Sequence, residues 1–318
     1  MPVECIQAKD HAQTVPEAIA RDTLNYASWG GTLPLAQYLA REAQLWRHPF
    51  SQRGLRLWLL RDGDEVLASC ETYAVGARLR PAGQPACDGT AYGVASVFVA
   101  EPLRGRGYAS TLLRGVQAQL AQAGAVCTYL MSEVAPTIYE RLGYVSRPVL
   151  SRRYPARASG AEPQVQWLSF PPIPEALLPQ PSDALTLRLD ADFVHWHIER
   201  GLFHAACLGA PPQTCLGARS GQTWALCADE PRESLLRVLC VCSDGNADDL
   251  RRVLSALQNL AARQHLGFIE LWENDSNRHL PWPTGGLTQA AEAVPMLCPL
   301  RPDVDPAAWQ SGERGLWI

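Results

Sequence analysis

Lysine is almost missing from this chain: Lys9 is the only one, and arginine makes up the rest of the 28 basic residues. The bias reads as genome composition. No run rich in Lys and Arg stands out, and the formal net charge is -4. That argues against nucleic acid as a partner, because backbone binding needs a concentrated basic face. The opening Met1-Pro2-Val3-Glu4-Cys5 lacks a basic segment followed by an apolar run, so no secretory signal is predicted. No apolar stretch approaches the length of a membrane span, which predicts no membrane partner. The ten cysteines show no framework spacing. Cys240 and Cys242 would share one strand face, but no second Cys or His pair at zinc spacing accompanies them. These lacks predict a cytoplasmic protein with reduced, buried thiols and no metal.

What is present is apolar mass: 47% of the 318 residues are hydrophobic and 19% charged, enough for two globular cores. Residues 14–47 read as helical in two runs, the second starting after Trp29-Gly30-Gly31 with Thr32 as N-cap and Pro34 in its first turn. Residues 55–60 and 66–73 form a hairpin around Asp62-Gly63-Asp64. A loop at 80–90 then leads to a strand at 92–99. Leu112, Leu113, Val116 and Leu120 fall at helical spacing, and Gly124 ends that helix. A strand at 126–131 and a short helix at 136–142, closed by Gly143, complete a first domain, 1–154.

Residues 155–183 carry seven prolines and read as an extended connector, with Trp167, Leu168 and Phe170 in need of burial. The second domain, 184–318, then repeats the order of the first. A helix at 191–208 precedes a hairpin, a strand at 235–241, a long helix at 247–263 and a strand at 267–272. The expected fold is α/β with mixed sheets, the second domain being a degenerate copy of the first.

The informative segment runs from Ser96 to Ala109. A strand feeds a short glycine loop, Arg104-Gly105-Arg106-Gly107, that opens directly onto the helix starting at Tyr108. Unpaired N–H groups of the first helical turn and the helix dipole favour an anion there. Two glycines permit close backbone approach, and two arginines add positive charge. The loop lacks the third glycine of a dinucleotide fingerprint and the Gly-Lys-Ser/Thr of a P-loop, so it reads as another kind of pyrophosphate cradle.

The frame Arg104-x-x-Gly107-x-Ala109, between a strand and a long helix, resembles the acetyl-CoA loop of GNAT N-acyltransferases. Ile138-Tyr139-Glu140-Arg141-Leu142-Gly143-Tyr144 is similar to that family's second signature, with Ile138 in place of the usual aromatic. The resemblance covers residues 14–150. It implies a GNAT fold and acetyl-CoA as cosubstrate. It also implies that the Val97-Phe98-Val99 backbone pairs with the pantetheine arm and that residues 104–109, Arg104 through Tyr108 and Ala109, hold the pyrophosphate. It places Tyr139 as the proton donor to the departing thiolate, and a phenol with a pKa of about 10 suits that task. The base is open. Glu71, on the strand before the motif, is a candidate for base and for attracting a cationic substrate, or else a structural ion pair; Glu133 is a second acidic candidate.

A narrower resemblance links Ser69-Cys70-Glu71-Thr72, Ala95-Ser96-Val97-Phe98-Val99 and the run Phe193 to Gly201 to fungal lysine N6-acetyltransferases. It implies that the Trp196 segment caps the substrate cleft. His195 and His197, two apart on a helix, point to different sides and do not act as a pair. The expected activity is acetyl transfer to a small cationic amine such as free lysine. A protein or aminoglycoside acceptor, or a non-catalytic CoA-binding role, stand as alternatives. A homodimer is compatible with the sequence but not specified by it.

Overall fold

The computed structural model describes residues 2–7, 16–81, 83–160, 164–170, 173, 178, 185–309 and 313–318. The chain begins with β1 (Val3–Gln7), α1 (Pro16–Trp29), α2 (Leu35–Arg47) and α3 (Pro49–Gly54). The cap of α2 is Pro34 rather than Thr32, because proline fixes the extended-to-helical corner without a side-chain bond. Helix α3 had no sequence signal beyond Pro49 and starts where His48 Nδ1 accepts from the Phe50 amide at 3.2 Å.

Next come β2 (Arg56–Asp62), β3 (Glu65–Leu79) and β4 (Cys87–Phe98), the last starting inside the expected 80–90 loop. Helix α4 (Tyr108–Gln122), β5 (Cys127–Ser132), α5 (Thr137–Glu140) and β6 (Val145–Ser146) follow. Helix α4 buries the stripe Leu112, Leu113, Val116 and Leu120 against the sheet. Each such side chain contributes roughly 1.5–3 kcal/mol.

The chain continues through β7 (Leu150–Pro155), β8 (Gln166–Leu168) and β9 (Thr186–Leu187) to α6 (Ala191–Leu208). Then come β10 (Gly217–Ser220), β11 (Thr223–Glu230), β12 (Leu235–Cys242), α7 (Ala247–Arg263), β13 (Phe268–Glu273), β14 (Leu287–Ala290) and β15 (Val294–Pro299). The two long helices sit where the sequence placed them, because each has a side-chain cap. Asp190 accepts from the Phe193 amide, and Asn246 accepts from Asp248 and Asp249.

Two mixed sheets result, ordered β1-β2-β3-β4-β5-β15-β6, with β9 on β3, and β14-β7-β13-β12-β11-β10-β8. In each, two antiparallel steps lead to a strand that is parallel to the next across a helix: β4 to β5 over α4, and β12 to β13 over α7. The second sheet thus repeats the first. Their last strands are exchanged. Strand β7 lies between β13 and β14, and β15 lies between β5 and β6. A division at residue 154 therefore does not separate the sheets. Of the connector, residues 166–168 edge the second sheet as β8, with Arg263 over the Trp167 ring at 5.1 Å. Pro163, Pro171, Pro172, Pro174, Pro179 and Pro181 lie outside the described residues. One apolar cluster spans both halves, with Phe50 stacked on Phe193 of α6 at 4.1 Å.

Candidate active site

The site starts from a break in the first sheet. Strands β4 and β5 pair only at Ala91↔Cys127, Tyr92↔Thr128 and Gly93↔Tyr129. On its other edge β4 carries a bulge: Glu71 faces Ala95, but Ser69 faces Phe98. Ser96, inside the bulge, holds φ 52, a left-handed conformation that costs a non-glycine residue roughly 1–2 kcal/mol. The bulge turns β4 away from β5, and the strands part after Gly93. A Cβ on Gly93 would stand 2.5 Å from Ile318 Cδ1 and 2.8 Å from the Tyr129 ring, so this close approach requires glycine.

Beyond the break, a short turn at Glu101–Leu103 leads to the glycine loop. Gly105 and Gly107 hold φ 78 and 82, and a Cβ on either would meet nothing within 4 Å. They are glycines for backbone conformation, and the loop stays open to solvent. Arg104 Nε donates to the Val99 carbonyl at 3.0 Å, which fixes the loop on the strand and occupies that carbonyl. No side chain caps α4, so its first-turn amides remain available. Arg106 is exposed beside them, Tyr108 and Ala109 form the first turn, and Phe98 packs against Trp29 at 5.9 Å.

The matching corner of the second sheet is closed. Ser243 Oγ accepts from the Gly245 amide, Asp244 from Asn246, and Asn246 from Asp248 and Asp249. Two acidic residues occupy the first turn of α7. Its amides are taken and its charge repels anions, so of these two corners the one at α4 is the open one.

A cavity of about 460 Å³ adjoins the β4–β5 break. Tyr139, Glu71, Glu133 and Val97 all line it, so the structure brings the sequence-nominated catalytic candidates to one space. Tyr139 packs edge-on against Tyr144 at 5.9 Å, and burial raises its phenol above the ordinary pKa of 10. Glu133 stands at the exposed rim, where partial desolvation and the Glu292 carboxylate raise its pKa above 4.5. Glu71 is different. It is 3% exposed, pairs with Arg21 at 2.5 Å, and accepts from Trp46 Nε1 and the Tyr73 hydroxyl. Its charge is spent inside the wall.

The second half supplies Trp196, Arg200, His204, Arg232, Arg237 and Arg314 to the same cavity; Trp196 and Arg200 belong to the Phe193–Gly201 run, and the other four had no local motif to nominate them. His197 is buried, with Nε2 2.7 Å from the Gly315 carbonyl, and burial holds its pKa well below 6.5, so the ring is neutral. The buried His195 Nε2 has no hydrogen-bond partner among the described residues, and the two rings serve separate surroundings, as their spacing predicts. Among the described residues, no helix is long and apolar enough to cross a membrane.

Comparison with known proteins agrees with this geometry. Residues 53–146 match the sequence family described as "Acetyltransferase (GNAT) domain". No curated protein matches the chain. Among solved structures, a conserved protein of Enterococcus faecalis, described as a probable N-acyltransferase, aligns with a TM-score of 0.60 at 11% identity, over 94% of this chain and 72% of its own. Eis1 of Mycobacterium abscessus aligns with a TM-score of 0.56 at 15% identity, over 94% and 74%. A GCN5-related N-acetyltransferase of Kribbella flavida gives 0.51 at 15%, over 94% and 72%. At these identities the likeness is one of fold. The chain is an acyltransferase that carries a GNAT acetyltransferase domain at residues 53–146, within a fold of two GNAT-like sheets.

Proposed function

We propose that this protein transfers an acetyl group from acetyl-CoA to the primary amine of a small cationic acceptor, with free lysine the favoured candidate. One observation carries the reading: the β4–β5 break and Tyr139 border one cavity, and the strand that opens there runs on through a short turn into the uncapped glycine loop. The donor supplies an activated thioester. The chain supplies a positive, amide-rich corner at residues 104–109 for its pyrophosphate and unpaired β4 backbone for its arm. Tyr139, kept protonated by burial, gives its proton to the departing thiolate. Glu133 accepts the ammonium proton, and its raised pKa brings it closer to that of the amine. The Arg21 pair holds Glu71 inside the wall and suits it to fixing α1 against the sheet. The resemblance of residues 69–72, 95–99 and 193–201 to fungal lysine acetyltransferases supports lysine, and Trp196 and Arg200 of that run line the cavity.

The test is to incubate purified protein with acetyl-CoA and a mixed panel of free lysine, polyamines, an aminoglycoside and a short peptide, reading products by mass spectrometry. One acetylated species, lost in Tyr139→Phe, is the expected result. Acetyl-CoA binding without any product would favour a non-catalytic role. Tyr139→Phe keeps the ring packing, and kcat is expected to fall about 10²–10⁴-fold with the fold intact.

A further inference from the structure

The cavity charges contributed by the two halves are compensated differently. In the first half, Arg21 holds Glu71 and Arg41 holds Glu42, each at 2.5 Å. Arg237 of β12 is likewise saturated, by Glu233, Glu270 and Glu292. Three other guanidiniums of the second half are not. Arg200 meets Glu230 only at 3.7 Å, and Glu230 is already bonded to His204 Nδ1 at 2.9 Å. Arg314 meets Glu292 only at 3.6 Å, while Glu292 stands 2.9 Å from Arg237. Arg232 makes no ion pair among the described residues.

These groups are also placed for recognition. Arg314 is 4% exposed, and its Nε has no hydrogen-bond partner among the described residues. Its guanidinium lies 4.0 Å from the Trp317 ring centre, and that of Arg200 lies 5.2 Å from Trp196. Stacking on indole fixes each plane and leaves its N–H fork free for an oxyanion. Burial lowers the pKa of both Arg200 and Arg314; Glu230 offsets this in part for Arg200, and repulsion from Arg237 adds to it in both, so an added negative charge is favourable for each. On the acidic side, Glu71, Glu42, Glu230 and Glu292 are all partnered by arginine, whereas Glu133 beside Tyr139 forms no ion pair among the described residues. The cavity is therefore bipolar, with a free carboxylate at one place and under-compensated guanidiniums at another.

We infer that the acceptor is a zwitterion: its amine meets Glu133 and Tyr139, and an oxyanion on the same molecule is held by Arg200, Arg232 and Arg314. This rests on the acyl-transfer reading and narrows it. Amino acids and phosphorylated or sulfonated amines qualify; polyamines and aminoglycosides, which carry no anion, do not.

The test compares matched probes on the full chain loaded with CoA, by calorimetry: L-lysine against L-lysinamide and cadaverine, and O-phosphoethanolamine against ethanolamine. In at least one set the anionic member is expected to bind about tenfold tighter or more. Arg200→Gln and Arg232→Gln are each expected to shrink that ratio several-fold. The wild-type ratio needs no variant, so misfolding of a variant does not blunt the test. Equal or tighter binding of the members that lack an oxyanion, or no binding by either oxyanion-bearing probe, overturns the inference. So does a ratio that survives both substitutions. Products with acetyl-CoA are read separately by mass spectrometry. Anion-selective binding with no product upholds the zwitterion and overturns acyl transfer. Acetylation of cadaverine as fast as lysine does the reverse.

Discussion

Arg21 and Glu71 meet at 2.5 Å, each 3% exposed, and join α1 to the middle of β3. Replacing Glu71 with Gln leaves Arg21 buried, with only Asp22 near it at 3.1 Å. Breaking a buried pair from one side costs about 3–5 kcal/mol. A fall of that size in unfolding free energy is expected from urea titration, with kcat of the folded fraction within about tenfold of wild type. Loss of turnover in a stably folded Glu71→Gln protein would transfer the base role from Glu133 to Glu71.

Glu133 and Tyr139 set the expected pH profile. Burial and Glu292 raise the Glu133 carboxyl above 4.5, and a base must be ionised to act. An acid limb in kcat/KM is thus expected above pH 4.5, rising with pH. In Glu133→Gln that limb disappears, leaving only ionisation of the acceptor amine. Tyr139 lies above 10, so it keeps its proton throughout this range. A profile identical in the two proteins would remove Glu133 from the reaction.

Stability carries its own pH signature. Burial, and then Glu230, pushes Asp229 up to about 7 from 3.8, and neither carboxyl oxygen has a hydrogen-bond partner among the described residues. Between these values the folded state holds a proton that the unfolded state has lost. Stability therefore falls as pH rises from about 4 to about 7, and the penalty persists above that. Asp229→Asn removes the ionisation. It is expected to be more stable than wild type at pH 8, by on the order of a few kcal/mol, with the advantage shrinking towards pH 4. Parallel melting curves at both pH values decide it.

The two helix corners predict one acetyl-CoA per chain. Calorimetry is expected to give a single site. Gly107→Val, which forces a β-branched residue to φ 82, is expected to weaken acetyl-CoA binding at least tenfold. Asn246→Ala, at the closed corner, is expected to leave binding unchanged. Two sites per chain would show that Asp248 and Asp249 do not exclude the anion.

Helices α6 and α7 were legible because their ends are written locally: Asp190 and Gly209 bracket one, and Asn246 caps the other. The glycine loop ahead of α4 was legible for the same reason, its strand, turn and helix being written in one short segment. Strand β15 was not, since Val294-Pro295-Met296-Leu297-Cys298-Pro299 carries two prolines and finds both partners in the first half. Strand β14 is exposed at all four residues and shows no alternation to read. The arginine wall escaped for a related reason. Arg200, Arg232 and Arg314 are far apart in sequence, and only the joining of the two halves makes them neighbours of Glu133.

The exchange of β7 and β15 has a consequence in time. While the chain is being made, the first half emerges with β5 and β6 flanking an empty slot, and residues 294–299 that fill it appear only after the whole of β8 to β14. Until then β7 has no β13 to pair with. The acetyl-transfer domain thus cannot mature ahead of its companion. A ribosome stalled between the halves holds an open-edged intermediate, so the first sheet is complete only after β15 of the second half has been made.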